Sequence, residues 1–75
     1  MPDLTGYLES LLQPRVSKVI KDDDGYILEM PIKLEWHDYI DPDGFEQLIT
    51  YMEYQIIKEM EKYFPKGLKY RIKRK

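Results

Sequence analysis

Apolar residues recur along this chain with two different periods, and the changes of period divide it into five elements. Over residues 3–13, DLTGYLESLLQ, Leu4, Leu8, Leu11 and Leu12 fall at helical spacing, with Asp3 placed to cap the first turn. Gly6 weakens this helix by roughly 1 kcal/mol relative to Ala, and Pro14 ends it. A helix this short does not persist alone in water, so it needs a surface to pack on. Residues 15–21, RVSKVIK, are rich in β-branched side chains and predict a strand. DDDG follows as a turn.

The next stretch, YILEMPIKLEW, alternates. Tyr26, Leu28, Met30, Ile32, Leu34 and Trp36 share one face, while Glu29, Lys33 and Glu35 take the other with Ile27 and Pro31. Period two over that length predicts a half-buried strand, which gives a hairpin over 15–36. Pro31 donates no ladder hydrogen bond, so the pattern places this strand at a sheet edge, or bulges it there. After HDYIDPDG, residues 43–64 return to helical spacing, with Phe45, Leu48, Ile49, Met52, Ile56, Met60 and Tyr63 on one broad face. Asp41 or Asp43 caps that helix, the latter at capping-box spacing from Glu46, and Pro42 suits its first turn. Pro65 and Gly67 stop it. Residues 68–74, LKYRIKR, alternate again and predict a third strand.

The expected fold is therefore α+β, a single small domain over 1–75 with the order α-β-β-α-β. A three-stranded sheet carries the long amphipathic helix on one face. That helix, roughly 33 Å long at 1.5 Å per residue, returns the chain so that strand three runs parallel to strand two. With strand two at an edge, strand three pairs with strand one, giving the strand order 2-1-3. A chain of 75 residues leaves no room for a cleft walled by two domains. It also makes a marginal core for which self-association is one common remedy.

Composition narrows the chemistry. There is no Cys, so thiolate catalysis, disulfides and Cys-based zinc sites are absent. The single histidine, His37, stands beside Asp38, but Thr5, Ser10, Ser17 and Thr50 occupy no nucleophile motif. Asp22, Asp23, Asp24 and Glu29, or Asp38, Asp41 and Asp43, offer oxygen ligands. The calcium-loop register anchored on Gly44 nevertheless puts Tyr39 first and Thr50 twelfth, where strong ligands belong. Gly6, Gly25, Gly44 and Gly67 are scattered singly and form no phosphate cradle. The chain is read as a non-enzyme with no cofactor and no metal. No membrane span is expected. MPDLTGYLESLLQP lacks the basic start of a signal peptide, and the default compartment is the cytoplasm.

Two surfaces remain as functional candidates. Tyr54 lies opposite the apolar centre of the long helix, with Tyr51 and Ile57 about 60° to either side at 100° per residue. Either the first helix covers them with Tyr7, Leu8 and Leu11, or a partner does, since tyrosine-rich patches favour interfaces. The second candidate is electrostatic. Residues 1–64 hold all fourteen acids and six bases, while the last eleven hold Lys66, Lys69, Arg71, Lys73, Arg74 and Lys75 and no acid. Such segregation marks a nucleic-acid arm, or a basic strand that meets its own acidic body.

The leading expectation is a small protein–protein interaction module, an inhibitor or regulator of a larger protein, or a homodimer. Its contacts would be Tyr51, Tyr54 and Ile57, with acidic Asp22, Asp23 and Asp24. The size, acidity and lack of catalytic motif give it the general look of small proteins from viruses and mobile elements. The alternative is a nucleic-acid binder that uses the six C-terminal cations.

Overall fold

A computed structural model describes residues 3–32 and 34–74, except for the side chains of Leu34 and His37. Helix α1 (Thr5–Leu12) starts where Asp3 turns the chain. The Asp3 carboxylate accepts the Thr5 N–H at 2.9 Å and also the Thr5 hydroxyl. Leu4 occupies the cap position itself, and the buried Tyr26 hydroxyl accepts its N–H at 3.1 Å. Leu8 and Leu12 are buried, and Leu11 is half-buried. Pro14 closes the helix across a cis peptide bond.

Strands β1 (Lys18–Asp22) and β2 (Gly25–Met30) form the expected antiparallel hairpin, with Val19 opposite Leu28 and Asp22 opposite Gly25. Asp22 Oδ1 accepts the Asp24 N–H at 2.9 Å and fixes the turn. Among the described residues no side-chain-bearing position has a positive φ, so the left-handed angle falls on Gly25, at +133°. Glu9 of α1 accepts the Val19 N–H at 3.1 Å, which covers part of the outer edge of β1.

The alternating pattern overruns the second strand. It predicts a strand as far as Trp36, whereas β2 stops at Met30. Pro31 has no N–H to donate, and the Ile32 N–H turns back onto the Met30 carbonyl at 2.9 Å. Residues Leu34–Asp38 then coil into a 3₁₀ turn that leaves Trp36 half-buried against the core. The expected place of Lys33 on the outer strand face lies outside the described residues, as does that of the Leu34 side chain.

Helix α2 (Pro42–Tyr63) is capped by Asp41, whose Oδ1 accepts the Gly44 N–H at 2.6 Å, with Pro42 in its first turn. Phe45, Ile49, Ile56 and Met60 are buried, and Leu48 and Met52 are half-buried. Tyr63, expected on the same face, is exposed. Phe64 takes its place at the end of the helix, half-buried against the core with its N–H on the Met60 carbonyl at 2.8 Å. The core lies between the sheet and this helix, where Val19, Leu28 and Met30 meet the α2 residues. Leu8, Leu12 and Val16 extend it beneath α1.

Strand β3 (Tyr70–Arg74) runs parallel to β2, with Tyr26 opposite Tyr70 and Leu28 opposite Ile72. The sheet order is β1-β2-β3, which corrects the expected order 2-1-3. Pro31 sits one residue beyond β2, so the missing donor costs the ladder nothing and β2 pairs on both sides. The free side of β1 is held by Glu9 and α1. Gly25 opens the vacant side of β2. A Cβ there would stand 2.3 Å from the Lys69 carbonyl oxygen, and the Tyr26 N–H reaches that oxygen at 3.1 Å.

Candidate interaction surfaces

The outward face of α2 follows from its length and from what lies beneath it. The molecule measures 43 × 21 × 20 Å, an elongated body with one helix layer over one sheet layer. Every α2 side chain that points away from the sheet meets solvent unless α1 reaches it. Helix α1 packs beside β1 instead. Tyr51 is therefore 58% exposed, Tyr54 54% and Ile57 38%, and Tyr7 of α1 is 55% exposed rather than folded over them. The ridge is ordered by its own contacts. Gln55 Nε2 donates to the Tyr51 hydroxyl at 2.8 Å, and Lys58 Nζ stands 5.2 Å from the centre of the Tyr54 ring. A shallow depression lined by Glu46, Gln47, Thr50, Tyr51 and Tyr54 runs along its N-terminal half.

The C-terminal cations divide between two faces of β3. Arg74 shares the side of Tyr70 and Ile72 that faces α2. There it forks onto both Glu46 oxygens at 3.1 Å and stands 3.7 Å from Glu53. Its hydrogen bond to Glu46 holds the guanidinium still more firmly charged, against an opposing effect of desolvation, and the Glu46 and Glu53 charges add to the hold. Glu46 is thereby drawn to β3 instead of closing a capping box with Asp43. Lys69, Arg71 and Lys73 project from the open face of the sheet. Arg71 reaches Asp22 at 3.1 Å. Cross-strand register aligns Lys18, Glu29 and Lys73 in one row and Ile20, Ile27 and Arg71 in the next. Among the described residues, Lys66, Lys69 and Lys73 hold no ion pair. Lys75 lies outside the described residues.

The structure separates the two halves of the expected protein-binding surface. Asp22 shares the open sheet face with Ile20, and exposed Asp23 and Asp24 form the adjoining turn. Tyr51, Tyr54 and Ile57 stand on the far side of the helix layer. The side chain of His37 lies outside the described set. Among the described residues no three acidic or histidine side chains gather as a metal site, and no helix is long and apolar enough to cross a membrane.

One participant had no sequence signal. Arg15 sits in the loop after α1, where one charge in an apparent strand start looks ordinary. The fold brings it to line one depression with Met52 and Gln55 of α2 and a second with Tyr51 and Tyr54.

These features define a small α+β domain whose long helix presents an aromatic ridge to solvent. In comparisons with known proteins, no family model, no curated protein and no solved structure matches the chain.

Proposed function

We propose that the chain is a small, non-enzymatic protein–protein interaction module that regulates or inhibits a larger protein through the outer face of α2. The observation that carries this reading is the Tyr51, Tyr54 and Ile57 ridge, which α1 leaves uncovered. Tyrosine offers a large contact area with few rotamers to freeze, and central, well-packed aromatic anchors dominate binding energy at interfaces. The acidic turn Asp22–Asp24 lies on another side of the molecule and forms no part of this surface. Purified chain carrying Tyr54→Glu should keep its thermal midpoint within a few degrees and lose its partner. Retained binding to a partner isolated with the wild-type chain would remove the ridge from the interface.

A second reading, nucleic-acid binding, draws on Lys18, Lys69 and Lys73 along the open sheet face, with Lys66 in the preceding loop. It is weakened by Arg71 and Arg74, which already face Asp22, Glu46 and Glu53. Glu29 also sits between Lys18 and Lys73. Labelled DNA and RNA titrated at two salt concentrations test it. Steeply salt-dependent binding that Lys69→Glu and Lys73→Glu together abolish would favour it, and no binding at low salt would exclude it.

A further inference from the structure

Among the described Lys and Arg residues, Arg15 is the one withdrawn from solvent; the others are exposed. Among the described residues its side chain has no partner: the guanidinium makes no hydrogen bond and no ion pair, and its Nε is buried with no acceptor. A partly buried cation without an acid is uncommon in a folded protein, because desolvation of the charge is normally offset by a partner. The chain could supply one, since Glu59 lines the same groove, yet Glu59 makes no ion pair with Arg15.

The surroundings say what would fit. Arg15, Pro14, Met52 and Gln55 line one depression, and Arg15, Gln55, Tyr51, Tyr54, Lys58 and Glu59 line the next. The two share Arg15 and Gln55, and the second opens onto the tyrosine ridge. The apolar side chains of Pro14 and Met52 therefore lie beside a guanidinium, with the Lys58 ammonium, the Gln55 amide, tyrosine hydroxyls and the Glu59 carboxylate lining the same groove. A guanidinium offers two parallel N–H donors at the spacing of carboxylate oxygens.

We infer that the Arg15 groove receives an aspartate or glutamate carboxylate from the protein partner that docks on the Tyr51–Tyr54 ridge. This rests on the interaction reading above and adds the partner's chemistry. The docking segment pairs an apolar side chain, laid across the tyrosines, with an acid that enters beside Arg15.

The test uses the full chain and a displayed library of random peptides. Enriched peptides should carry Asp or Glu next to an apolar residue and should be lost on Tyr54→Glu. A synthetic copy of the best peptide with its acid changed to the amide should bind the wild type roughly tenfold or more weakly. Against Arg15→Met the same change should matter less than about twofold, the coupling a direct contact requires. Arg15→Lys, which keeps the charge and loses the fork, should fall between them and serves if Arg15→Met does not fold. Peptides that need Tyr54 but carry no acid, or are indifferent to Arg15, would overturn the carboxylate site and leave the interaction module standing. Peptides indifferent to both residues, or none at all, would overturn both.

Discussion

Two tyrosines and a glycine show how single residues hold this fold. Tyr26 is buried on β2, and its hydroxyl accepts the N–H of Leu4, the cap residue of α1. Tyr26→Phe keeps the ring and strands the Leu4 N–H. It should cost about 1 kcal/mol, read as a lower denaturant midpoint with an unchanged slope. Tyr70, its partner on β3, is half-buried, and desolvation pushes its phenol above the ordinary 10.0, with the Glu61 charge adding to the effect. The folded state thus favours the neutral phenol. Its contribution is whole below the ordinary value and is lost as pH rises through the folded one. Tyr70→Phe should flatten the alkaline fall in stability, and an unchanged alkaline profile would count against it. Gly25 carries two demands, a positive φ and a bare α-carbon against Lys69. Gly25→Ala should cost at least about 2 kcal/mol from backbone strain alone, and hydrogen exchange should show β3 released before the hairpin. A stability equal to that of the wild type would refute this account of how β3 docks.

At the scale of elements, each helix depends on contacts beyond its own turns. Helix α1 has eight residues, too few to persist alone. It is held by Leu8 and Leu12 in the core, by Tyr26 at its start and by Glu9 on the edge of β1. Helix α2 depends on its cap as well as on packing. Asp41→Ala removes the acceptor for the Gly44 N–H and should cost about 1 kcal/mol, measurable by thermal or denaturant unfolding. Asp43→Ala should cost less, because Asp43 does not cap. Equal losses would show that the first turn is set by charge near the helix dipole rather than by the Asp41 hydrogen bond. Strand β3 is joined to the body by its ladder with β2, by the fork of Arg74 on Glu46 and by Arg71 on Asp22. This makes the basic C-terminal segment a structural strand first.

At the scale of the whole molecule, two layers and an elongated shape leave a large surface for a small core. The same geometry that buries Ile49 and Ile56 obliges Tyr51, Tyr54 and Ile57 to face out. If the ridge is also a self-association surface, light scattering should show a concentration-dependent dimer that Tyr54→Glu dissociates. A dimer indifferent to that change would place the symmetric contact elsewhere, on the open sheet face or the free edge of β3.

The sequence by itself determined the elements, because local patterns are enough to set them. Helical spacing defines α1 and α2, Asp41 and Pro42 start the second helix, the DDDG turn makes the hairpin, and alternation through Leu68, Tyr70 and Ile72 makes β3. It also placed Tyr51, Tyr54 and Ile57 on the outer side of α2, since a helix fixes the angular position of each residue. It misled at Pro31, where alternation continued on paper although the strand had stopped. That one residue moved β2 from the centre of the sheet to its edge in the expected order. Tertiary structure decided which strand β3 joined, through the close approach that Gly25 permits and the side of β1 that Glu9 occupies. It also decided which cations stay free, because Arg71 and Arg74 find acids distant in sequence. Finally, it brought Arg15 beside Tyr51 and Tyr54. Pairings of this kind depend on contacts between residues tens of positions apart, and no local period records them.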